Sequence, residues 1–253
     1  MEKLRRILMC VAYDGTNYSG WQVQDNAPTI EGELNKALSF LCNENIEVIG
    51  ASRTDAGVHS LSSMCVFDTK STIPAERFSF AVKTKLPSDI CVRYSKEVPL
   101  DFHPRHMLTE KTYEYHIYNE EFLPPMKRLY VFHENRPLDV ERMNEAGKAL
   151  VGEHDFKSFC AAGAIVETTV REVTDVNVRK ENGEVIISVS GHGFLYNMVR
   201  IIAGTLLRVG LGDWDRSNVE AILEAKDRQK AGQTLPPEGL LLKSFVFLED
   251  NPI

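Results

Sequence analysis

A chain of 253 residues that is 43% hydrophobic and 26% charged has enough apolar side chains for one large core or two smaller ones, which excludes disorder as the default. No unbroken apolar stretch approaches the ~20 residues that cross a bilayer, and the first residues lack the basic-then-apolar layout of a signal peptide, so a cytoplasmic location away from membranes is expected. The net charge of −7 counts against a protein that grips nucleic acid by diffuse attraction, although phosphate binding depends on where the 29 Lys and Arg lie and not on their sum.

Residues 5–13 read as a strand, and 29–41 as an amphipathic helix with Ile30, Leu34, Ala37, Leu38 and Leu41 on one face and Thr29 as its N-cap. Strands at 46–51 and 64–68, a helix starting near Pro74 and a strand at 90–95 complete a β-α-β-β-α-β order. That is the ferredoxin-like (RRM-like) arrangement, an antiparallel sheet with helices on one face. A similar order follows, with a strand at 109–118, a helix at 140–151 and strands near 170–179 and 185–191. The helix at 194–209 is apolar on nearly every side, which predicts burial between layers, with Gly210 ending it. The next helix opens on Ser217 and Glu220 as a capping box, and 240–248 reads as a strand. The expected fold is α+β: two α/β halves, residues 1–105 and 106–253, whose antiparallel sheets form a central cleft of the kind that often holds a site.

The five cysteines are odd in number, widely spaced and without a C-x-x-C pair, so they read as small buried apolar residues and not as a disulfide framework or zinc site. His103 and His106 flank Pro104 with no third ligand nearby, which reads as a turn, and no metal is expected. No glycine-rich phosphate cradle follows a strand, so no nucleotide cofactor is expected. The most unusual segment is Arg53-Thr54-Asp55-Ala56-Gly57-Val58-His59, a polar loop between two apolar strands. Taken alone, it is a turn in which Gly57 supplies a positive φ and Asp55 a cap.

That loop, however, resembles the active-site loop of the tRNA pseudouridine synthase A family, and five further blocks agree in the family's order. They are Tyr13-Asp14-Gly15-Thr16-Asn17-Tyr18-Ser19-Gly20-Trp21-Gln22; Phe102-His103-Pro104-Arg105 with Lys111-Thr112-Tyr113-Glu114-Tyr115; Asp155-Phe156-Lys157-Ser158-Phe159; Phe194-Leu195-Tyr196-Asn197-Met198-Val199-Arg200; and Glu238-Gly239-Leu240. The resemblance covers nearly the whole chain and implies the pseudouridine synthase fold.

It further implies an isomerase that converts uridine to pseudouridine on the 3′ side of the anticodon stem-loop, works without a cofactor, and binds tRNA as a homodimer. Asp55 would be the nucleophile, since a carboxylate can form and release a covalent bond to a nucleoside. Arg53 and Arg200 would keep it ionised or contact the RNA, and Arg200, on a buried helix, would find a carboxylate partner. Tyr113 would be the substrate-contacting tyrosine, although three tyrosines in one strand more often pack a sheet, and Tyr115 reads as structural. Trp21 is equally suited to an RNA-facing loop and to the core. Ser52, where the family usually has glycine, and Ser60, where a smaller residue is common, point to a paralogue with shifted target uridines. Two other readings compete. One is a tRNA-binding protein without catalysis; the other is a carboxylate-dependent glycosidase, for which Asp14 or Glu114 would have to supply the second carboxyl group.

Overall fold

The computed structural model describes residues 3–163 and 166–248, and the Cα packing separates two compact units. The first runs to Leu108 and takes in the chain again from Leu242; the second spans Thr109–Leu241. Where the sequence predicts a division at 105/106 with the last strand in the second half, that strand groups with the first unit. The reason is packing: Phe245 and Phe247 are buried in one cluster with Leu8, Cys10, Met64, Val66 and Phe102. The rings of Phe102 and Phe247 meet edge to face at 5.5 Å.

In the first unit, β1 (Arg5–Tyr13) leads into α1 (Ile30–Cys42), β2 (Ile49–Gly50), β3 (His59–Thr69), α2 (Phe78–Val82) and β4 (Ile90–Val98). The sheet runs β4-β1-β3, with β2 on β3, and all three pairings are antiparallel. β1 is apolar at almost every position because both its faces are covered. Ile7, Met9 and Val11 meet Ile30, Leu34, Leu38 and Phe78 from the helices, while Leu8 and Cys10 face the phenylalanine cluster. Thr29 caps α1 by accepting the Gly32 N–H.

The strand predicted at 46–51 shrinks to β2. Two α1 side chains take the amides a partner strand would need: Asn35 Oδ1 accepts from Val48 N at 2.8 Å and Ser39 Oγ from Ile46 N at 2.9 Å. β3 is longer than the predicted 64–68 because its pairing with β1 continues through Ser60. The helix predicted from Pro74 begins as a 3₁₀ turn, Ala75–Arg77, before α2.

The second unit contains β5 (Thr109–Tyr118), β6 (Phe132–His133), α3 (Val140–Gly147), β7 (Gly152–Asp155), β8 (Val170–Glu181), β9 (Glu184–Gly191), α4 (Met198–Gly210) and α5 (Arg216–Ala225). Its strands run β5-β9-β8-β7 in antiparallel pairs, with the short β6 parallel to β5. The last strand, β10 (Leu240–Phe247), lies next to β3 in the strand order. In α4 every residue except Arg200 and Arg208 is buried. This helix starts four residues later than its apolar pattern predicts, because Asn197 sits in the left-handed region at φ 59°. Gly210 is the last helical residue and not its terminator; a Cβ there would stand 2.5 Å from Met143 Sδ, so any larger residue would have to displace that side chain of α3. The cap of α5 is Asp215 with Asn218, two residues earlier than the predicted Ser217 and Glu220.

Candidate active site

The residues from Ala51 to Val58 connect β2 to β3 and carry the loop singled out in the sequence. The Asp55 carbonyl accepts the Val58 N–H at 3.2 Å, closing a turn in which Gly57 takes φ 76°. The turn leaves Asp55 half-buried and Arg53 exposed.

The loop is held chiefly by the opening segment after β1. Tyr13, fully buried, has its hydroxyl 2.8 Å from Thr54 Oγ1 and 3.0 Å from Ser63 Oγ. Burial pushes this phenol up to about 12, so it stays protonated and keeps a hydrogen to donate. The Thr54 carbonyl accepts from Trp21 N at 3.1 Å, and Gly57 N donates to the Tyr18 carbonyl at 3.2 Å. Two glycines let the backbones touch. A Cβ on Gly15 would lie 2.1 Å from the Val58 carbonyl oxygen, and one on Gly20, at φ 92°, would lie 2.6 Å from that of Thr54. The far side of the segment is tied down by Asp89, whose carboxylate accepts the Tyr18 hydroxyl at 2.6 Å. Of the two roles open to Trp21, the structure assigns the core: the ring is buried against Gly50.

Tyr113 and Arg200 belong to the second unit. Tyr113 lies at the middle of β5 opposite Val189, only 7% exposed, with its ring edge-on to Phe194 at 5.2 Å. Tyr115, on the same face, is fully buried and donates to the Pro236 carbonyl at 2.8 Å, a structural role as its sequence context suggests. Lys111 shares that face, and burial beside Arg171 lowers its pKa. Arg200 sits in the first turn of α4. Its Nε donates to the Leu235 carbonyl and its Nη1 to Asn197 Oδ1, each at 2.6 Å. The Leu235 carbonyl reaches it because Gly204 lets the neighbouring segment pass over the helix, where a Cβ would stand 2.0 Å from the Gln233 oxygen. Within its own unit, therefore, Arg200 engages a main-chain carbonyl and an amide where the sequence predicts a carboxylate.

Other polar residues also find definite places. Asp14 Oδ1 accepts the Thr16 N–H and hydroxyl at 3.0 and 2.6 Å, and Glu114 binds Arg179 at 2.8 Å. Each of the two carboxyl groups that a glycosidase would need as an acid thus accepts hydrogen bonds from other groups of the protein. The His106 N–H donates to the His103 carbonyl at 3.0 Å in a turn. Ser60 is buried and accepts the Ser62 N–H, whereas the Ser52 hydroxyl is buried without a hydrogen-bond partner among the described residues. The sequence attaches no role to Gly15, Gly20, His59 or Phe194. Glycines spaced through an aromatic-rich segment with no predicted hairpin are the signal of close backbone approach.

The model of a family described as tRNA pseudouridine synthase matches residues 9–106 and 146–247. The chain is 47% identical over 245 residues to a tRNA pseudouridine synthase A 2 of Clostridium tetani, covering 96% of this chain and 99% of that protein. It is 44% identical over 244 residues to a tRNA pseudouridine synthase A of Caldicellulosiruptor bescii, covering 96% and 100%. With the protein of the same name from Ruminiclostridium cellulolyticum the identity is 46% over 245 residues, covering 96% and 100%.

Proposed function

The chain belongs to the tRNA pseudouridine synthase A family and is a tRNA pseudouridine synthase, an isomerase; from that premise we propose that Asp55 is its nucleophile and that Arg53, Tyr113 and Arg200 bind the substrate. The reaction breaks the bond between N1 of uracil and C1′ and joins C5 to C1′. The hydrogen on C5 leaves to solvent and N1 takes up a proton, so atoms balance without a co-reactant. Asp55 serves this chemistry whether it adds to C6 of the base or acts at the sugar, because both routes need a carboxylate that bonds and then departs.

One observation carries the reading. Asp55 stands on a turn whose flanking residues are fixed by hydrogen bonds to Tyr13, Tyr18 and Trp21, so a half-buried carboxylate is held in a defined place instead of on a mobile loop. The substrate is uridine on the 3′ side of the anticodon stem-loop, extruded from its stack before reaction. The enzyme works as a cytoplasmic homodimer, and its two halves are ferredoxin-like. The β-α-β-β-α-β sequence of elements and the antiparallel order β4-β1-β3-β2 support that reading for the first half. Ser52 in the loop and Ser60 at the start of β3 favour target uridines shifted from those of the family's usual member.

The test is Asp55→Asn on unmodified tRNA with pseudouridine mapped by position. The variant is expected to form none while binding tRNA within roughly tenfold of the parent, because it keeps the shape and removes the nucleophile. Normal turnover by Asp55→Asn would overturn the assignment.

A further inference from the structure

We propose that His59 is a positioning residue for this reaction: by accepting the Gly15 main-chain N–H it locks the opening segment onto the turn that carries Asp55. The inference rests on the reading of Asp55 as nucleophile and adds a group that acts on it from a distance.

His59 is the first residue of β3 and only 6% exposed. Its Nδ1 lies 3.1 Å from the Gly15 nitrogen and 3.2 Å from Asp14 Oδ1. A neutral imidazole with its proton on Nε2 presents Nδ1 as an acceptor, which suits the Gly15 N–H. The Asp14 carboxylate does not depend on the ring, since Thr16 supplies the same oxygen with two donors.

The placement gives the contact its consequence. The turn closed between Asp55 and Val58 is bracketed by Thr54 and His59, and both brackets are held by one short stretch of chain. Tyr13 holds Thr54 through its hydroxyl; Gly15, two residues on, holds His59 through its N–H and lies against the Val58 carbonyl. A shift of residues 13–15 therefore reaches both ends of the turn at once. A histidine kept only for packing would be replaceable by an apolar ring or leucine. Here the buried Gly15 N–H donates to the imidazole nitrogen, so removing the ring without a substitute acceptor takes away the partner of a buried donor.

Three variants of the full chain separate these roles. His59→Asn puts a side-chain oxygen close to the place of Nδ1, His59→Gln carries its oxygen one bond further, and His59→Leu has no acceptor. Single-turnover pseudouridine formation, tRNA Kd and thermal midpoint are measured for each, well below the midpoint. His59→Leu and His59→Gln are expected to lose roughly a hundredfold in rate with Kd within about threefold, and His59→Asn to recover at least about tenfold of that loss. A merely structural histidine would lower the midpoint and leave the rate of the folded enzyme unchanged. Native rates in Leu and Gln, or equal rates in Asn and Gln, overturn the proposal. If Leu does not fold, the Asn and Gln pair decides. Asp55→Asn run alongside distinguishes the two failures: a dead Asp55→Asn with native His59 variants sinks only the positioning role, whereas an active Asp55→Asn sinks the nucleophile.

Discussion

Replacing Gly15 by alanine tests whether the opening segment sets the position of the reacting carboxylate. The added Cβ would stand 2.1 Å from the Val58 carbonyl oxygen and 2.6 Å from its carbon, whereas ordinary contact begins near 3.4 Å. Both obstructing atoms are backbone, so no side chain can swing aside and the two segments must part by more than an ångström. Gly15 is buried, and overpacking of this kind costs about 1–3 kcal/mol, which at this chain length lowers the thermal midpoint by about 2–4 °C for each kcal/mol. The catalytic penalty is larger in proportion. A misplacement of about 1 Å costs on the order of a hundredfold in rate when geometry carries the barrier reduction. Gly15→Ala is therefore expected to remain folded at 25 °C, to bind tRNA within about threefold, and to form pseudouridine roughly a hundredfold more slowly. The assay is release of tritium from tRNA labelled at uridine C5, under single-turnover conditions. A rate within threefold of the parent would refute the reasoning, because the turn would then tolerate displacement without loss.

Three other expectations concern separate parts of the molecule. Tyr113→Phe keeps the edge-on contact with Phe194 and is expected to fold normally while slowing turnover by roughly a hundredfold through loss of its hydroxyl; an unfolded product by circular dichroism would make Tyr113 structural instead. Burial lowers His116, yet its contacts with Glu114 at 3.5 Å and Glu184 at 2.8 Å raise it above the ordinary imidazole value, while Arg179 and Lys127 hold the other oxygens of those carboxylates. A raised folded value means that the charged ring stabilises the protein fully below about pH 6.5 and progressively less as the pH rises through its folded pKa. His116→Gln should flatten that decline in the thermal midpoint, and an unchanged slope would contradict it. Raising salt should weaken tRNA binding despite the net charge of −7, since local cations and not the sum meet the phosphates; a flat response would argue against a basic RNA-binding surface.

Much of the architecture is legible from local pattern. The bounds of β1 and β5, the capped start of α1 and the all-round burial of α4 follow from periodicity and capping residues, because each is decided by neighbours a few positions away. The site residues were reached differently. As an isolated Asp-Ala-Gly, the loop is an ordinary turn, and Asp55, Arg53, Tyr113 and Arg200 stand out only through the family-like blocks around them. Where the pattern misleads, a polar side chain or a single backbone conformation intervenes. Asn35 and Ser39 take the amides that would have extended β2, and Asn197 delays α4 by adopting a left-handed conformation that hydrophobicity does not encode.

What the sequence by itself determined is the order of elements, the apolar faces and the family to which the chain belongs. Tertiary structure alone decided that β10 rejoins the first unit, that Trp21 is a core anchor, that Arg200 engages Leu235 and Asn197, and that Gly15, Gly20 and His59 hold the Asp55 turn. The physical reason is the same in each case. Secondary structure is written in the spacing of neighbouring side chains, whereas the close approach of two backbones some 40 residues apart depends on what each glycine leaves out, and an absent side chain has no periodicity to read.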